Sequence, residues 1–312
     1  MMRRRMMVVM VTVGLASSYA GVPRSAQAAI APLVRMEHTE PTEPATPGLT
    51  AEYFSLDTLL GRSGKLRARF LPPLQAKELE RALGLLRDSA TTTGLRARIA
   101  SLRVLPIVPF QSKVSGWMGM YRMGYWPGEK RIARSAAYDN PLGFVEVTLM
   151  NQSLQLSEHF QLRDFVTKDQ SAIWPKYVVL REPLIDKLEL VIDELHLMGY
   201  PVQHLQVMSG FRHPFYNAQG VGDGGRARES RHQYGDASDV FADSDYDGVM
   251  DDLDGDGRAT VLDTDMIILA VERVEMAHPE LTGGMGRYHG THAHGPFVHV
   301  DVRGTGARWG GA

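Results

Sequence analysis

The chain has 312 residues and a formal net charge of −2, from 34 Lys and Arg against 36 Asp and Glu, so it has room for two compact domains. The near balance of charges excludes the broad basic surface that neutralises phosphates, and we expect no nucleic-acid partner. The absence of cysteine excludes disulfides and lipid-modified cysteines, so the fold must be stabilised by a bound metal or by a well-packed core.

The N-terminus, MMRRRMMVVMVTVGLASSYAGVPRSAQAA, has the build of a secretory signal peptide. A basic start precedes an apolar run from Met6 to Ala16, and small residues follow, with cleavage expected at Ala26-Gln27-Ala28. The apolar run is shorter than the ~20 residues that span a bilayer. We therefore expect a signal peptide over residues 1–28 and a bacterial periplasmic or secreted protein without stable membrane insertion after cleavage. An uncleaved anchor is the alternative.

Residues 29–50 form a predicted linker, because EHTEPTEPATPG mixes Pro, Thr and Glu without apolar periodicity. After it, LQAKELERALGLLRDS carries leucines at helical spacing, and RVLPIVPF and GWMGMYRMGYWPG are typical of strands and turns. These segments predict a small α+β region over residues 51–140. No motif assigns it a role.

Four aromatic residues cluster in this region: Trp117, Tyr121, Tyr125 and Trp126. Such rings could stack on sugars. Large aromatic side chains more often dominate hydrophobic cores, and we favour core packing for this cluster.

A clear amphipathic helix follows in PLIDKLELVIDELHLMGYP. Pro183 stands near its start, Gly199 and Pro201 stand at its end, and one stripe is apolar, formed by Leu184, Leu188, Val191, Ile192 and Leu195. The next segment, VQHLQVMSGFRHP, predicts a strand ending at Ser209-Gly210. Arg212 and His213 then lie on the loop that leaves the sheet, where functional residues are common.

The last predicted strand is FVHVDVRG. Its alternation puts three valines on one face and the remaining side chains on the other, Val298, Val300 and Val302 against Phe297, His299, Asp301 and Arg303. A histidine opposite a valine face can present a ligand from a rigid platform. The alternative is an ordinary histidine on an edge strand.

The segment SRHQYGDASDV places His232 and Asp239 seven positions apart. With His299 they supply the three His and carboxylate ligands that a hydrolytic zinc site needs, leaving a fourth position for water. Gly235 and Ala237 would let the backbone pass close to the metal. The spacing by itself is a weak signal.

The flanking residues resemble a known family. Ser230-x-His232-x-x-Gly235-x-Ala237-x-Asp239, preceded by SGFRHPFYN and followed by FVHVD, is similar to the zinc D-alanyl-D-alanine carboxypeptidases and endopeptidases, which share the Hedgehog fold. The resemblance covers about residues 156–309. It implies zinc ligands at His232, Asp239 and His299, and a substrate-holding or polarising role for Arg212.

The proton-accepting base departs from the pattern of many relatives. They place it two residues before the last zinc histidine, as His-x-His, or three before it, as an acidic residue, but Phe297 and Pro296 stand there. We favour His294 from GTHAHGP, with His292 and Asp301 as further candidates. The histidine pair also fits an exposed loop, and Asp301 better fits a partner that orients a ligand ring.

An acidic insertion, residues 243–265, carries two overlapping registers of a twelve-residue calcium loop. The first register places its ligands at Asp243, Asp245, Asp247, Val249 (carbonyl), Asp251 and Asp254, with a turn at Gly248. The second places them at Asp252, Asp254, Asp256, Arg258 (carbonyl), Thr260 and Asp263, with a turn at Gly257. Dense carboxylates around a sharp glycine turn suit calcium rather than zinc.

The second loop, followed by TDMIILAVERV, resembles the calcium loop and helix of dockerins and EF-hands, and the pair is similar to the acidic repeats of thrombospondin type 3. Both loops have Asp at position 12, where EF-hands place Glu. Both registers use Asp254, so we expect one calcium ion, or two if that carboxylate bridges them. Calcium should order the insertion beside the zinc cleft, as a groove wall or as a docking surface for a protein partner.

Together these features predict an α+β protein. A Hedgehog/DD-peptidase-like domain with an antiparallel sheet and flanking helices, residues 145–312, follows the small N-terminal region. We expect an exported zinc metallopeptidase, a hydrolase that cuts stem peptides or cross-links of bacterial cell-wall peptidoglycan as a D,D-carboxypeptidase or endopeptidase. The alternative is a non-catalytic cell-wall-binding or assembly module that holds zinc and calcium. A purely calcium-dependent adhesion protein would leave the zinc set unexplained.

Overall fold

The computed structural model describes residues 9–12, 33–36, 56–130, 133, 135–222 and 225–311. Two four-residue strands, β1 (Val9–Thr12) and β2 (Leu33–Met36), pair antiparallel. The remainder of the predicted signal peptide and of the predicted linker lies outside the described residues. Within the described ranges, no helix is both long and apolar enough to cross a membrane.

A small unit with its own core follows. It consists of α1 (Leu56–Leu60), β3 (Ala68–Leu71), α2 (Pro73–Ser89), α3 (Thr93–Ser101) and β4 (Arg103–Pro106), with β3 and β4 paired in parallel. The predicted leucine-rich helix is confirmed as α2, which starts with proline in its first turn and buries Leu79 and Leu83. The three helices and β3 contribute the side chains of this separate hydrophobic cluster.

The next segment forms short strands around the N-terminal side of the large core. β5 (Val108–Pro109), β8 (Gly143–Val147) and β9 (Lys176–Val178) form a three-stranded sheet, and β6 (Trp117–Met118) pairs with β7 (Tyr121–Arg122) in a hairpin. The strands predicted here are thus confirmed. The core prediction for the aromatic cluster is right for Tyr121 and Trp126, both 0% exposed, and wrong for Trp117 and Tyr125, which are 42% and 46% exposed.

A five-stranded sheet carries the C-terminal half. Its strands are β10 (Leu205–Ser209), β11 (Ala237–Ala242), β12 (Gly284–Tyr288), β13 (Phe297–Asp301) and β14 (Ala307–Trp309), in the order β10-β11-β13-β12-β14. Neighbouring strands are antiparallel except for β12 and β14, which are parallel. The predicted strand with alternating valines is β13, and it lies in the interior of the sheet, so the edge-strand alternative is wrong.

Three helices complete this half: α4 (Glu182–Leu197), α5 (Pro214–Ala218) and α6 (Thr264–Ala277). The amphipathic helix predicted from the sequence is α4, and its apolar stripe is fully buried. α6 packs on α4 and on β11, β12 and β13. The protein is therefore a mixed α+β fold with several sheets and helices.

Buried charged residues of α4 bind its neighbours on both sides. Asp186 accepts hydrogen bonds from the backbone N–H groups of Arg62 and Ser63 at 2.6 and 2.8 Å, and Lys187 Nζ donates to Glu275 Oε1 of α6 at 2.6 Å. Each buried charge thus has a partner, as burial requires.

One large core spans the predicted domain boundary at residues 140–145. It contains Met118 and Tyr138 on one side of the boundary and Val240 and Val300 on the other. The boundary itself stays a prediction.

Candidate metal centre

His232 lies on a short 3-10 turn, Arg231–Tyr234, that ends at Gly235. Gly235 has φ +68°, and a Cβ atom at this position would lie 2.3 Å from the carbonyl oxygen of Val179. Only glycine fits this close, left-handed turn. The local sequence therefore directs the backbone from His232 into β11, which carries Asp239.

Asp239 and His299 face each other across two neighbouring strands. β11 pairs antiparallel with β13, and the register places Asp239 directly opposite His299. Side chains on one face of directly opposed residues are close enough to interact. The three residues predicted as zinc ligands are thus brought together, and they are 0%, 6% and 6% exposed, in the order His232, Asp239 and His299.

The three donor atoms form a small triangle. His232 Nε2 lies 3.2 Å from Asp239 Oδ1 and 3.2 Å from His299 Nδ1, and His299 Nδ1 lies 2.9 Å from Asp239 Oδ1. In a tetrahedral zinc site with bonds of ~2.0–2.1 Å, ligand atoms are about 3.3–3.4 Å apart. The triangle therefore has nearly the size that a tetrahedral ion requires. These side chains could hold a metal ion.

Hydrogen bonds fix which nitrogen of each histidine faces the triangle. His232 Nδ1 lies 2.7 Å from the carbonyl oxygen of Gly210, so this nitrogen carries the proton and donates it. His299 Nε2 lies 3.1 Å from Asp301 Oδ2 and donates to that carboxylate. In both rings the proton on the outward nitrogen leaves the inward nitrogen as the one that can bind a cation when it is unprotonated.

Charges around the triangle favour an anionic Asp239. Burial lowers the pKa of His232 to about 4, with a further contribution from Arg212, so this ring stays neutral. Burial would raise the pKa of Asp239, but His232, His299 and Arg212 hold it well below its usual value. Burial would lower the pKa of His299, yet its hydrogen bonds to Asp239 and Asp301 raise it on balance. Two imidazoles and one carboxylate suit zinc and similar transition metals better than calcium.

Arg212 lies beside the triangle. Its backbone N–H donates to the carbonyl oxygen of His232 at 3.1 Å, and its guanidinium lies 3.6 Å from Asp239 Oδ2. The Nε atom of Arg212 is buried and has no hydrogen-bond partner among the described residues. A buried donor without a protein partner is costly, so the Nε of Arg212 needs an acceptor from a water or a ligand.

Asp301 is enclosed by donors. It is 0% exposed, and its carboxylate accepts from the backbone N–H of Gly284 at 2.6 Å, from Arg303 Nε at 2.9 Å and from His299. Burial would raise the pKa of Asp301, but His299 and Arg303 hold it well below its usual value. Asp301 contacts the ring nitrogen that points away from the triangle. This geometry matches the orienting role rather than that of a base.

The two histidines of the loop before β13 differ in position. His294 is half-buried, lines the cleft that contains Asp239 and His299, and packs its ring against Phe297 at 5.1 Å between centroids. Its Nδ1 lies 2.8 Å from the carbonyl oxygen of Gly295, which leaves Nε2 to accept a proton. His292 is exposed and does not line the cleft. His294 therefore stays the candidate base.

The cleft has a volume of about 790 Å³ and walls that the sequence analysis did not identify. Tyr216, Arg226, Glu229, Tyr288, His289 and Trp309 line it together with the predicted residues. The Trp309 ring lies 5.1 Å from the ring of His299, and a Cβ atom on Gly286 would collide with it. A glycine inside a strand indicates such a close approach, so Gly286 was the available signal.

The acidic insertion forms two separate carboxylate groups. Ligand atoms of Asp243, Asp245 and Asp251 lie within 4.8 Å of one another, and so do those of Asp252, Asp254 and Asp263. Asp254 belongs to the second group, so the two groups need not share a carboxylate. In the two overlapping registers predicted from the sequence, both loops would use Asp254, so this part of the prediction is wrong.

The two loops repeat one set of hydrogen bonds with a nine-residue offset. Asp243 accepts from the N–H groups of Asp247 and Gly248 at 3.0 and 3.2 Å, and Asp252 accepts from Asp256 and Gly257 at 3.1 and 2.7 Å. Gly248 and Gly257 have φ +81° and +85°. The remaining predicted ligands are Asp247, Val249, Asp256, Arg258 and Thr260, and all lie on these loops. Both turns thus have the predicted glycine geometry.

Like charges crowd the second loop. The N–H of Asp256 lowers the pKa of Asp254 through a hydrogen bond, but the nearby carboxylates of Asp252, Asp256 and Asp263 contribute to a pKa that is raised on balance. A cation would relieve this repulsion.

Comparison of the chain with protein-family models, with curated proteins and with solved structures finds no match. Function must therefore be argued from the chemistry of the site. That chemistry consists of a buried set of two imidazoles and one carboxylate, an arginine with a buried unpartnered donor, and a half-buried histidine in the wall of the same cleft.

Proposed function

We propose that the protein is an exported zinc peptidase of the D-alanyl-D-alanine carboxypeptidase and endopeptidase type, with the Hedgehog-like fold of that family. Its substrates would be the stem peptides or cross-links of bacterial peptidoglycan. The observation that carries the proposal is the convergence of His232, Asp239 and His299 in a cleft of about 790 Å³. A cleft of this size suits a peptide-sized ligand.

Zinc held by these three residues would supply a water of lowered pKa and a Lewis acid for the scissile carbonyl. The chain supplies the remaining groups. His232 and His299 are fixed in the required tautomers by Gly210 and Asp301. This preorganisation avoids the cost of turning the rings when the ion binds.

Arg212 is placed to bind the substrate. Its buried Nε donor would find a partner in the carbonyl oxygen or terminal carboxylate of a peptide in the cleft. Arginine forms planar, charge-assisted hydrogen bonds with such groups. Arg212 would thereby hold the peptide against the donor triangle and stabilise negative charge that develops on the carbonyl oxygen.

His294 would move the proton. With Nδ1 donating to the Gly295 carbonyl oxygen, Nε2 can accept a proton from the attacking water and pass it to the leaving amine. Phe297 and Pro296 stand where many family members carry the base, and neither can accept a proton. The proposed catalysis therefore depends on His294. Without proton transfer by His294, the alternative function applies, a wall-binding or assembly module without catalysis.

The acidic insertion would bind calcium. Each carboxylate group has its ligand atoms within 4.8 Å, and opposite ligands of a calcium ion with bonds of ~2.3–2.6 Å are about 4.6–5.2 Å apart. The first loop starts at Asp243, directly after β11, the strand that carries Asp239, but no described residue of the insertion lines the cleft, so the expectation of a groove wall is wrong. Calcium bound there would hold the insertion in one conformation next to the sheet of the metal centre, where it could also dock a protein partner.

Purified muropeptides test the peptidase proposal directly. The zinc-loaded protein and the His278→Ala variant, altered at a histidine after α6 that does not line the cleft, should release products, and His232→Ala should release none. Mass spectrometry of the products identifies the bond that is cut. Absence of products from the wild type with a full complement of zinc would refute the peptidase and favour the binding module.

A further inference from the structure

A second cavity lies between the hairpin β6–β7 and helix α5. Its volume is about 350 Å³, within the lower part of the range for small-ligand sites. We call it the aromatic pocket. It is walled by Trp117, Arg122, Tyr125, Lys130 and Phe215, with Gly116 and Gly124 also lining it. Neither the proposed catalysis nor the core packing of the fold uses these side chains.

The pocket is built on rigid backbone. Gly116 and Gly124 both have φ +82°, and a Cβ atom on Gly124 would lie 2.7 Å from the backbone nitrogen of Phe215. The N–H of Phe215 donates to the carbonyl oxygen of Met123 at 2.9 Å, which ties α5 to the hairpin. The pocket is therefore preformed and does not need ordering when a ligand binds.

The hairpin presents two different faces. Met118 and Tyr121 point into the core, while Trp117 and Arg122 form a cross-strand pair on the opposite face, next to the pocket. Trp117 and Tyr125 keep 42% and 46% of their surface exposed. Partly exposed aromatic rings at the edge of a concave site offer flat surfaces for stacking.

Cations accompany the rings. The guanidinium of Arg122 lies 4.0 Å from the ring centre of Phe215 and 5.5 Å from that of Trp117, and Lys130 Nζ lies 5.0 Å from the ring centre of Tyr125. These stacking distances hold both cations at the pocket walls. Among the described residues that line the pocket, none is Asp or Glu. The pocket thus combines apolar ring faces with positive charge.

Only a ligand with both properties uses all of this surface. An inorganic anion would leave the rings uncovered, and an apolar ligand would strip water from Arg122 and Lys130 without replacing it. A sugar ring has an apolar C–H face and polar edges, and a carboxylate on the sugar would pair with the cations. We propose that the aromatic pocket binds a glycan whose sugars carry carboxylate groups.

Helix α5 separates this pocket from the metal cleft. Phe215 and Ala218 line the aromatic pocket, and Tyr216 lines the cleft. A helix is about 10–12 Å across, and an extended peptide of four residues reaches up to about 14 Å. A peptide attached to a neighbouring sugar of the same glycan, whose own carboxylate is used in the amide bond, could therefore extend into the metal cleft. Only this link rests on the proposed function; glycan binding does not require catalysis.

The test uses peptide-free glycan strands released from bacterial cell wall by an amidase, in which every second sugar carries a free carboxylate. Binding to the full-length protein is measured by tryptophan fluorescence and calorimetry. Wild type should bind the strands, and Trp117→Ala and Arg122→Gln should each weaken binding about tenfold or more. Met120→Ala, on the same hairpin but outside the pocket, should bind as the wild type does. Lys130→Gln provides a second charge variant, and thermal melting verifies folding of each.

A neutral glycan and lipid vesicles test whether binding depends on the carboxylates of the sugars. Chitohexaose, a neutral glycan, should bind at least about tenfold more weakly than the charged strands, because it offers no carboxylate to the two cations. Equal binding of chitohexaose, unchanged binding by Trp117→Ala, or no binding of the strands would overturn the inference. So would binding to anionic lipid vesicles in place of the glycan, since Val114 before the hairpin and Met120 at its turn are also exposed.

Hydrolysis of muropeptides and binding of glycan strands can be measured separately. His232→Ala should bind the glycan strands normally even though it releases no product from muropeptides. Glycan binding without hydrolysis by the wild type would leave the aromatic pocket standing and remove the peptidase. Hydrolysis that is unaffected by Trp117→Ala, together with absent glycan binding, would do the reverse.

Discussion

Replacing Asp301 by Asn probes how the second histidine is held. In the wild type, Asp301 Oδ2 accepts from His299 Nε2 at 3.1 Å, and this bond keeps the lone pair of Nδ1 on the side of Asp239 and His232. The other donors around the carboxylate are the backbone N–H groups of Gly284 and Arg303 and the Arg303 guanidinium. Every neighbour of both oxygens is therefore a donor.

Asparagine offers one acceptor oxygen and one NH2 group. In either orientation the NH2 group meets donors, either at Gly284 and Arg303 or at His299. If it faces His299, the ring is driven to the tautomer with its proton on Nδ1, which cannot bind a cation. Loss of such an orienting partner typically lowers metal affinity 10–100-fold, or about 1.4–2.7 kcal/mol. We expect that loss for Asp301→Asn.

Competition with a chromophoric chelator measures the zinc dissociation constant of each variant. Asp186→Asn is the matched control, because Asp186 is also a buried carboxylate that accepts two backbone hydrogen bonds but lies against Arg62 and Ser63. It should lower the melting temperature without changing zinc affinity. A zinc affinity for Asp301→Asn within twofold of the wild type would refute the assigned role of His299 Nδ1.

Four further predictions address other parts of the molecule. Gly235→Ala should lower the free energy of unfolding, measured in urea, by at least about 2 kcal/mol. Alanine is strained at φ +68°, and its Cβ would lie 2.3 Å from the carbonyl oxygen of Val179. Near-wild-type stability would contradict the left-handed turn at this position. Burial would raise the pKa of Glu189, but its hydrogen bonds with His159 lower that pKa on balance below the ordinary value of 4.5. The ionised Glu189 therefore stabilises the fold fully above pH 4.5, and this stabilisation is lost as the pH falls through the pKa of the folded state. The stability difference between wild type and Glu189→Gln should accordingly shrink in acid, and a pH-independent difference would argue against this pair. Removing calcium that was present at 100 times its dissociation constant should lower the melting temperature by roughly 5–10 °C with zinc retained, whereas calcium-independent melting would refute calcium binding. His294→Ala should reduce kcat on muropeptides about 10²–10⁴-fold with unchanged zinc content, and an unaltered kcat would exclude it as the base.

Local patterns were sufficient for the elements that hold the metal centre. The apolar stripe of α4 and the alternation of β13 both follow from side-chain periodicity, which is set by helix and strand geometry. A close backbone approach at Gly235 was predicted, but at the metal; the structure places it at the carbonyl oxygen of Val179 instead. The three predicted ligands then converge because β11 and β13 pair in register.

Features that depend on packing between distant segments were not predictable in this way. The exposure of Trp117 depends on which face of the hairpin packs on the core, and the hairpin sequence does not specify that face. The same holds for Trp309, which reaches His299 only because β14 pairs in parallel with β12. The partition of Asp254 to the second acidic group likewise depends on how the loop folds on Asp263.

The proposed peptidase requires one zinc ion bound by His232, Asp239 and His299. Anomalous diffraction from crystals of the zinc-loaded protein, collected on both sides of the zinc absorption edge, tests it most directly. We expect one zinc peak at about 2.0–2.1 Å from His232 Nε2, Asp239 Oδ1 and His299 Nδ1. Zinc-loaded crystals without a peak between these three atoms, or with zinc at the acidic insertion alone, would contradict it.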